Sequence, residues 1–397
     1  MRKKLKLLRI IKKVVIIYIL LELIFVINPF GYINIIGGVS KAEDYENQII
    51  NTQKQNLGIQ EFIEQSQKYT EKSMPEIDLN NLLTTAISGG IDNVKLLKLL
   101  LGILGKEVLN SAAILSSIIV IIVIHSILKN ISDGLGNTGV SQVAYYVQYI
   151  MIVTLVMTSF SQIIIMVKES IQNLVSFINL LIPILITLMV TTGNMVSATT
   201  IEPIILLMIT VIGNFIVNIV IPIVLISTAL GIVSQISDKV QIDKLAKFFK
   251  SSTVWVLGVI LTLFVGVASL EGSLSSSIDG VTAKTTKAAV SNFIPVVGKI
   301  LGDAVDTVMG CSVILKNALG MVGVIIIIGI CIIPITKLVT LMTMYYLGSA
   351  LCQPIADGKI IKLLGHMGDT FKLLLAILSS VSVMLIIGIT IIVKISV

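Results

Sequence analysis

Lys299 and Asp303 stand four residues apart and Asp306 follows three residues on, so an α-helix would stack all three along one face. Two chemistries fit that spacing. On an exposed amphipathic helix it is a solvated stripe of opposite charges. On a re-entrant membrane helix the same groups would line a water-filled path, because hydrocarbon does not accept them. Lys337 poses a related question from inside the apolar run Ala318 to Tyr346, three residues after Pro334. An ammonium at mid-membrane costs at least about 2.5–3.5 kcal/mol, so this one snorkels, pairs, or faces water or a partner. A helix that ends near Pro334 and restarts would instead leave Lys337 at an interface. Glu202, directly before Pro203, suits a carboxylate at the positive end of a helix.

Enzyme chemistry has no foothold. The two histidines, His125 and His366, belong to no HExxH or recognisable Ser/His/Asp set, and GxxxxGK[ST] does not occur. One GxGxxG runs from Gly134 to Gly139, but it follows an apolar span and not a strand, so it reads as a flexible loop. His125, near the end of that span, reads as a snorkelling or packed imidazole. Cys311, Cys331 and Cys352 all lie in or beside apolar sequence with no CxxC pair, which implies neither a disulfide framework nor a metal site. No catalytic, cofactor-binding or metal-ligating residue is assigned, and the chain is not read as an enzyme.

The elements that must carry the charged residues are membrane helices. Ser111 to Leu128, Val143 to Val167, Ile204 to Val233, Thr253 to Leu270, Ala318 to Tyr346 and Leu373 to Val393 approach or exceed the roughly 18–20 residues that cross about 30 Å of hydrocarbon. Hydrophobic residues make up 55% of the chain and charged ones 13%, which excludes an ordinary soluble domain. Unbroken runs such as Ile118 to Ile124 exclude the alternation of a β-barrel. The expected fold is therefore all-α, a polytopic integral membrane protein of about six or seven spans with broken or re-entrant elements. The net charge of +7 implies no nucleic acid, since the basic residues concentrate in the leader and beside spans.

Three regions follow. Residues 1–42 carry Arg2, Lys3, Lys4, Lys6, Arg9, Lys12 and Lys13 ahead of the apolar run Val14 to Val26, the pattern of a signal peptide or signal anchor. Ser40 and Ala42 suit cleavage after Ala42, with a retained anchor as the alternative. Residues 43–110 are an extracytoplasmic amphipathic segment with apolar residues at helical spacing (Ile59, Phe62, Ile63; Leu79, Leu82, Leu83, Ile87), expected to lie on the membrane or on a partner. Residues 111–397 form the multispan domain.

Prolines and lysines shape that domain. Pro183, Pro203 and Pro222 interrupt apolar sequence and Gly193-Asn194 marks a turn, so part of Ile171 to Val233 is expected to be kinked or re-entrant. One re-entrant stretch there would place Lys239, Lys244, Lys247 and Lys250 on the cytoplasmic side together with Lys359, Lys362 and Lys372. Ile-Pro-aliphatic recurs at Pro183, Pro222, Pro295 and Pro334, with both successive pairs 39 residues apart. These four are candidate helix-break residues and a faint sign of internal duplication.

Ile278-Asp279-Gly280-Val281-Thr282-Ala283-Lys284, Ser291-Asn292-Phe293-Ile294-Pro295-Val296-Val297-Gly298, Asp303-Ala304-Val305-Asp306-Thr307 and Gly310-Cys311-Ser312 resemble the stage III sporulation protein AE family. The layout is similar too, with a signal-like start, an outside polar segment and a multispan remainder. The resemblance implies a membrane subunit, platform or conduit, of the transenvelope channel complex between mother cell and forespore that endospore formation requires. It implies as partners the other stage III sporulation A proteins, including a secretion-type ATPase, and stage II sporulation protein Q across the gap. The location implied is the mother-cell membrane surrounding the forespore. The alternatives are a stand-alone secondary transporter, to which broken helices and a repeat would point, and an ATPase-driven permease subunit.

Overall fold

In the computed structural model the chain is described over residues 43–71, 73–75, 77–88, 102, 105, 116–117, 119–124, 126–127, 138–235, 242–293, 297–356 and 358–394. Within these, 43–45, 138–142, 144–145, 148, 201–202 and 271–304 are described by backbone alone. The leader, His125 and most of Ser111 to Leu128 and of the Gly134 to Gly139 loop lie outside the described residues.

Three short helices come first: α1 (Glu43–Asn56), α2 (Ile59–Thr70) and α3 (Leu79–Ile87). Gly58, at φ 62°, supplies the left-handed turn between α1 and α2. Asp78 caps α3 by accepting from the Asn80 N–H at 2.9 Å. The Gln67 amide ties α2 to the next helix start, donating to the Ile77 carbonyl (3.0 Å) and accepting from the Leu79 N–H (3.3 Å).

Long helices follow: α4 (Thr138–Thr191), α5 (Met195–Phe215), a π-helical turn (Ile216–Val220) leading directly into α6 (Ile221–Val233), then α7 (Asp243–Phe293), α8 (Val297–Leu351) and α9 (Gly358–Lys394). Five stretches among the described residues are long and apolar enough to cross a membrane: Tyr149–Thr191, Met195–Val233, Asp243–Leu270, Val305–Leu351 and Gly358–Lys394. At 1.5 Å per residue, the 54 residues of α4 and the 55 of α8 each extend roughly 80 Å, well beyond about 30 Å of hydrocarbon.

Continuity is the main departure from expectation. Pro183 lies inside α4, Pro203 inside α5 and Pro334 inside α8, and none of them ends its helix. The irregularity nearest a proline is the π turn directly before Pro222; Pro295 lies outside the described residues. A proline removes one hydrogen bond, at about 3 kcal/mol. Unwinding the helix around it would strand several backbone groups in apolar surroundings at several kcal/mol each, so the helix persists. Pro183 is exposed whereas Pro334 is buried, so these two candidate break sites occupy unlike environments.

Residues 171–233, where a kinked or re-entrant stretch was expected, form the end of α4, then α5, the π turn and α6. Val143 to Val167 and the apolar residues after Ile171 are one helix, α4, running straight through Lys168-Glu169. The chain then reverses once, at residues 192–194, where Gly193 adopts φ 86° and the Asn194 side chain donates to the Thr192 hydroxyl at 2.8 Å. Lys244, Lys247 and Lys250 at the start of α7 lie at the same end of the bundle as Lys359 and Lys362 at the start of α9. Lys250 of α7 touches His366 of α9 directly.

Side-chain contacts fix the register of the bundle. The Tyr149 hydroxyl donates to the Ile232 carbonyl (3.1 Å), and Phe371 stacks between Phe160 and Tyr345 with ring centroids 6.3 and 5.2 Å away. Toward the other end, Gly213 of α5 abuts Val175, and Gly323 of α8 abuts Leu181. Helices α8 and α9 pair most extensively, and α8 is the most enclosed span. Small residues permit the approach: a Cβ on Gly320 would meet Val393, one on Gly323 would lie 2.5 Å from Leu181 Cδ2, and one on Gly388 3.4 Å from Phe264 Cζ.

The amphipathic helices pack on their own chain. Ile59, Phe62, Ile63, Leu79 and Leu83 join the same apolar core as the long helices. Phe62 and Tyr69 meet Phe177 of α4 with centroids 6.0 and 6.3 Å apart, and Thr70 and Met74 cover Gly329, in the middle of the apolar half of α8. Gln53 reaches the start of α8, donating to the Ser312 hydroxyl at 2.7 Å.

Candidate functional site

The charged residues singled out from the sequence do not converge. Lys299, Asp303, Asp306 and Lys337 all belong to the single helix α8, which puts Asp306 and Lys337 roughly 47 Å apart along its axis. Asp306 is exposed and Lys337 half-buried; Lys299 and Asp303 are placed by backbone only. Exposed ionic contacts contribute only about 0–1 kcal/mol, so Asp306→Asn is expected to move the thermal midpoint of the detergent-solubilised protein by no more than a few degrees. A large drop would show that Asp306 has a buried role.

Sequence reading passed over Lys316, whose side chain is fully buried on α8. The signal was there, a lysine and an asparagine set between Val313-Ile314-Leu315 and Ala318-Leu319. It also passed over a polar junction near one end of the bundle. Lys250 donates to the His366 carbonyl at 3.1 Å and lies 3.3 Å from His366 Nδ1. The Thr370 hydroxyl donates to the same carbonyl (3.0 Å) and accepts from Thr228 (3.3 Å). The Tyr346 hydroxyl donates to Asp369 at 2.6 Å, and Ser227 donates to the Ala246 carbonyl at 2.7 Å. The Nε2 edge of the His366 ring lies against Gly231, where a side chain of any size would overlap it. Four segments, α6, α7, α8 and α9, are thereby locked at one level.

The feature with most bearing on function is the outward face of α4. From Val143 to Met151 the exposed residues whose side chains are described are Val143, Tyr146, Val147, Ile150 and Met151, apolar but for the Tyr146 hydroxyl, and Leu207 and Val211 on α5 and Val254, Trp255 and Leu263 on α7 are apolar too. From Thr154 onward the same face changes character. Between Thr154 and Thr191 the only exposed apolar residues are Ile165, Pro183 and Val190. The rest are hydroxyls, amides and one carboxylate at three- and four-residue spacing, over roughly 50 Å.

Chemistry separates these polar groups into two kinds. Thr154, Thr158 and Thr187 satisfy their hydroxyls by donating to the carbonyls of Ile150, Thr154 and Pro183 at 2.8–2.9 Å, so they are tolerable against lipid. The side chains of Gln162, Glu169, Gln172, Asn173 and Asn179 make no hydrogen bond among the described residues. An uncompensated amide in hydrocarbon costs roughly 4–8 kcal/mol, and intramembrane carboxylates are rarer still. Pro183, on the same face, lacks the N–H that would otherwise bond the Asn179 carbonyl, adding one more acceptor in need of a partner.

No group of three or more metal-ligating side chains occurs among the described residues. Long apolar helices, a tightly packed α8–α9 pair and glycine contacts between helices define a polytopic α-helical membrane protein. The chain belongs to the Stage III sporulation protein AE family, whose model matches residues 77–396. It is 35% identical over 297 residues to "Stage III sporulation protein AE" of Bacillus subtilis (strain 168), covering 75% of this chain and 74% of that one. No solved structure matches it.

Proposed function

We propose that this protein is a membrane subunit of the channel complex that links the mother cell to the engulfed forespore, acting there as platform or conduit. The family match across residues 77–396 carries the reading. On this reading it lies in the mother-cell membrane surrounding the forespore, with residues 43–110 on the extracytoplasmic side. It works with the other stage III sporulation A proteins, including a secretion-type ATPase, and with stage II sporulation protein Q from the forespore side. The count of six or seven crossings then follows from the five helices together with apolar sequence around residues 14–26 and 111–128.

Helices α4 and α8 run on through Pro183 and Pro334, which gives the transporter alternative no broken helix at these two positions. In-frame deletion should arrest spore development after engulfment, and the tagged chain purified from sporulating cells should bring the other stage III sporulation A proteins with it. Normal sporulation of the deletion strain, or ion-coupled solute uptake by the purified chain alone in liposomes, would overturn the proposal.

A further inference from the structure

We propose that the face of α4 from Thr154 to Thr191 lines a water-filled path through the membrane, open to water and small hydrophilic solutes. This rests on the membrane-subunit reading above and names the surface that would do the conducting.

The argument begins from contrast within one helix. The α4 stretch is apolar enough to be a membrane span, yet that hydrophobicity belongs to its buried side: Ile152, Val156, Phe160, Ile163 and Val167 are all core residues. Exposed positions on the other long helices are largely apolar, Leu207, Val211, Val254 and Leu263 among them, with Asn214 and Asn218 interrupting the first of these faces. The α4 face presents Gln162, Glu169, Gln172, Asn173 and Asn179 instead, none with a hydrogen-bond partner among the described residues. Groups of this kind persist at membrane depth only where protein or water satisfies them.

A second element puts polar surface at the same level. Helix α2 docks on Phe177, next to Ser176 of the face, and turns Glu61, Glu64 and Lys68 outward. Two neighbouring polar surfaces at one height make this flank suited to water. Dispersed amides and hydroxyls with one carboxylate, Glu169, form a wall that hydrates small solutes without binding any of them tightly.

Cysteine accessibility tests this directly. The native Cys311, Cys331 and Cys352 are buried and would be replaced by serine. Single cysteines would then be placed at Thr158, Gln162, Glu169, Gln172 and Ser176, with the exposed apolar positions Leu207, Val211 and Leu263 as one reference set and the buried Phe160 and Leu174 as another. Membranes from sporulating cells, open on both sides, would be treated with a small cationic methanethiosulfonate, which reacts with a thiolate that forms in water and not in lipid. The α4 face should react at least tenfold faster than both reference sets, rising and falling with helical period. Rates equal to those at Leu207 and Val211 would overturn the proposal, and so would protection of the whole face, which would indicate a partner helix packed against it. Labelling is read on membrane-inserted protein whether or not the variant supports spores, so an impaired variant still reports. Normal sporulation of the deletion strain would instead sink the functional reading and leave the accessibility result standing.

Discussion

Gly231→Ala should destabilise the bundle by about 1–3 kcal/mol, because the added methyl falls inside the volume occupied by the His366 imidazole. The ring has no easy retreat. Its own backbone carbonyl is held by Lys250 and Thr370, and Thr370 is in turn held by Thr228. Moving the ring therefore disturbs α6, α7 and α9 together. A bulkier Gly231→Leu should prevent accumulation of folded protein. The cause is separable from any general intolerance of the site: in a His366→Gly background the space is free, and Gly231→Ala should then cost close to nothing. Heating the detergent-solubilised variants and measuring the fraction that stays unaggregated gives all four corners of the cycle. Additive losses would show that the close approach of Gly231 and His366 is not what makes the glycine necessary.

How legible such features were depended on whether a residue announces itself to its sequence neighbours or only across the bundle. The membrane class was legible because hydrocarbon thickness fixes a span length and the apolar runs meet it. The turn at Gly193-Asn194 was legible because a positive φ favours glycine. Helix continuity at Pro183 and Pro334 was not, since the proline rule comes from water, where an unwound turn is hydrated; between packed apolar helices unwinding costs more than the lost bond. Lys168-Glu169 looked like the end of a span for the same reason. The polar face of α4 was hidden differently: averaged along the sequence, Gln162 and Asn173 vanish among isoleucines and leucines, and only three- and four-residue spacing reveals that they share a side. Nothing local in the sequence pairs Gly231 with His366 or Gly329 with Thr70.

That last contact sets the other large effect. Phe62→Ala combined with Ile63→Ala should release α2 from α4 and α8, since truncating a buried Phe costs about 3–5 kcal/mol and a buried Ile about 2–5 kcal/mol. Both side chains are nearly fully buried, and Phe62 meets Phe177. A short helical segment has little stability of its own, because a core this small buries too little apolar surface to offset its ordering entropy. Losing its dock should therefore loosen residues 43–88 as a unit while the long helices, joined through their own α8–α9 core, stay inserted. Gly329→Leu attacks the same dock from the opposite side, since even a Cβ there would sit 2.9 Å from Thr70 Cγ2 and 3.4 Å from Met74 Cε. Limited proteolysis of membranes should cut both variants within residues 43–88 at low protease concentrations that leave the parent chain whole, with equal amounts of the membrane-embedded remainder. If the two variants keep the parent's resistance, α2 is not held by these contacts. If the remainder is degraded as well, the amphipathic helices are structural members of the bundle and not a docked flank. The first outcome would also remove the support that α2 lends to a hydrated flank beside α4, leaving that inference to stand on the amides of α4 alone.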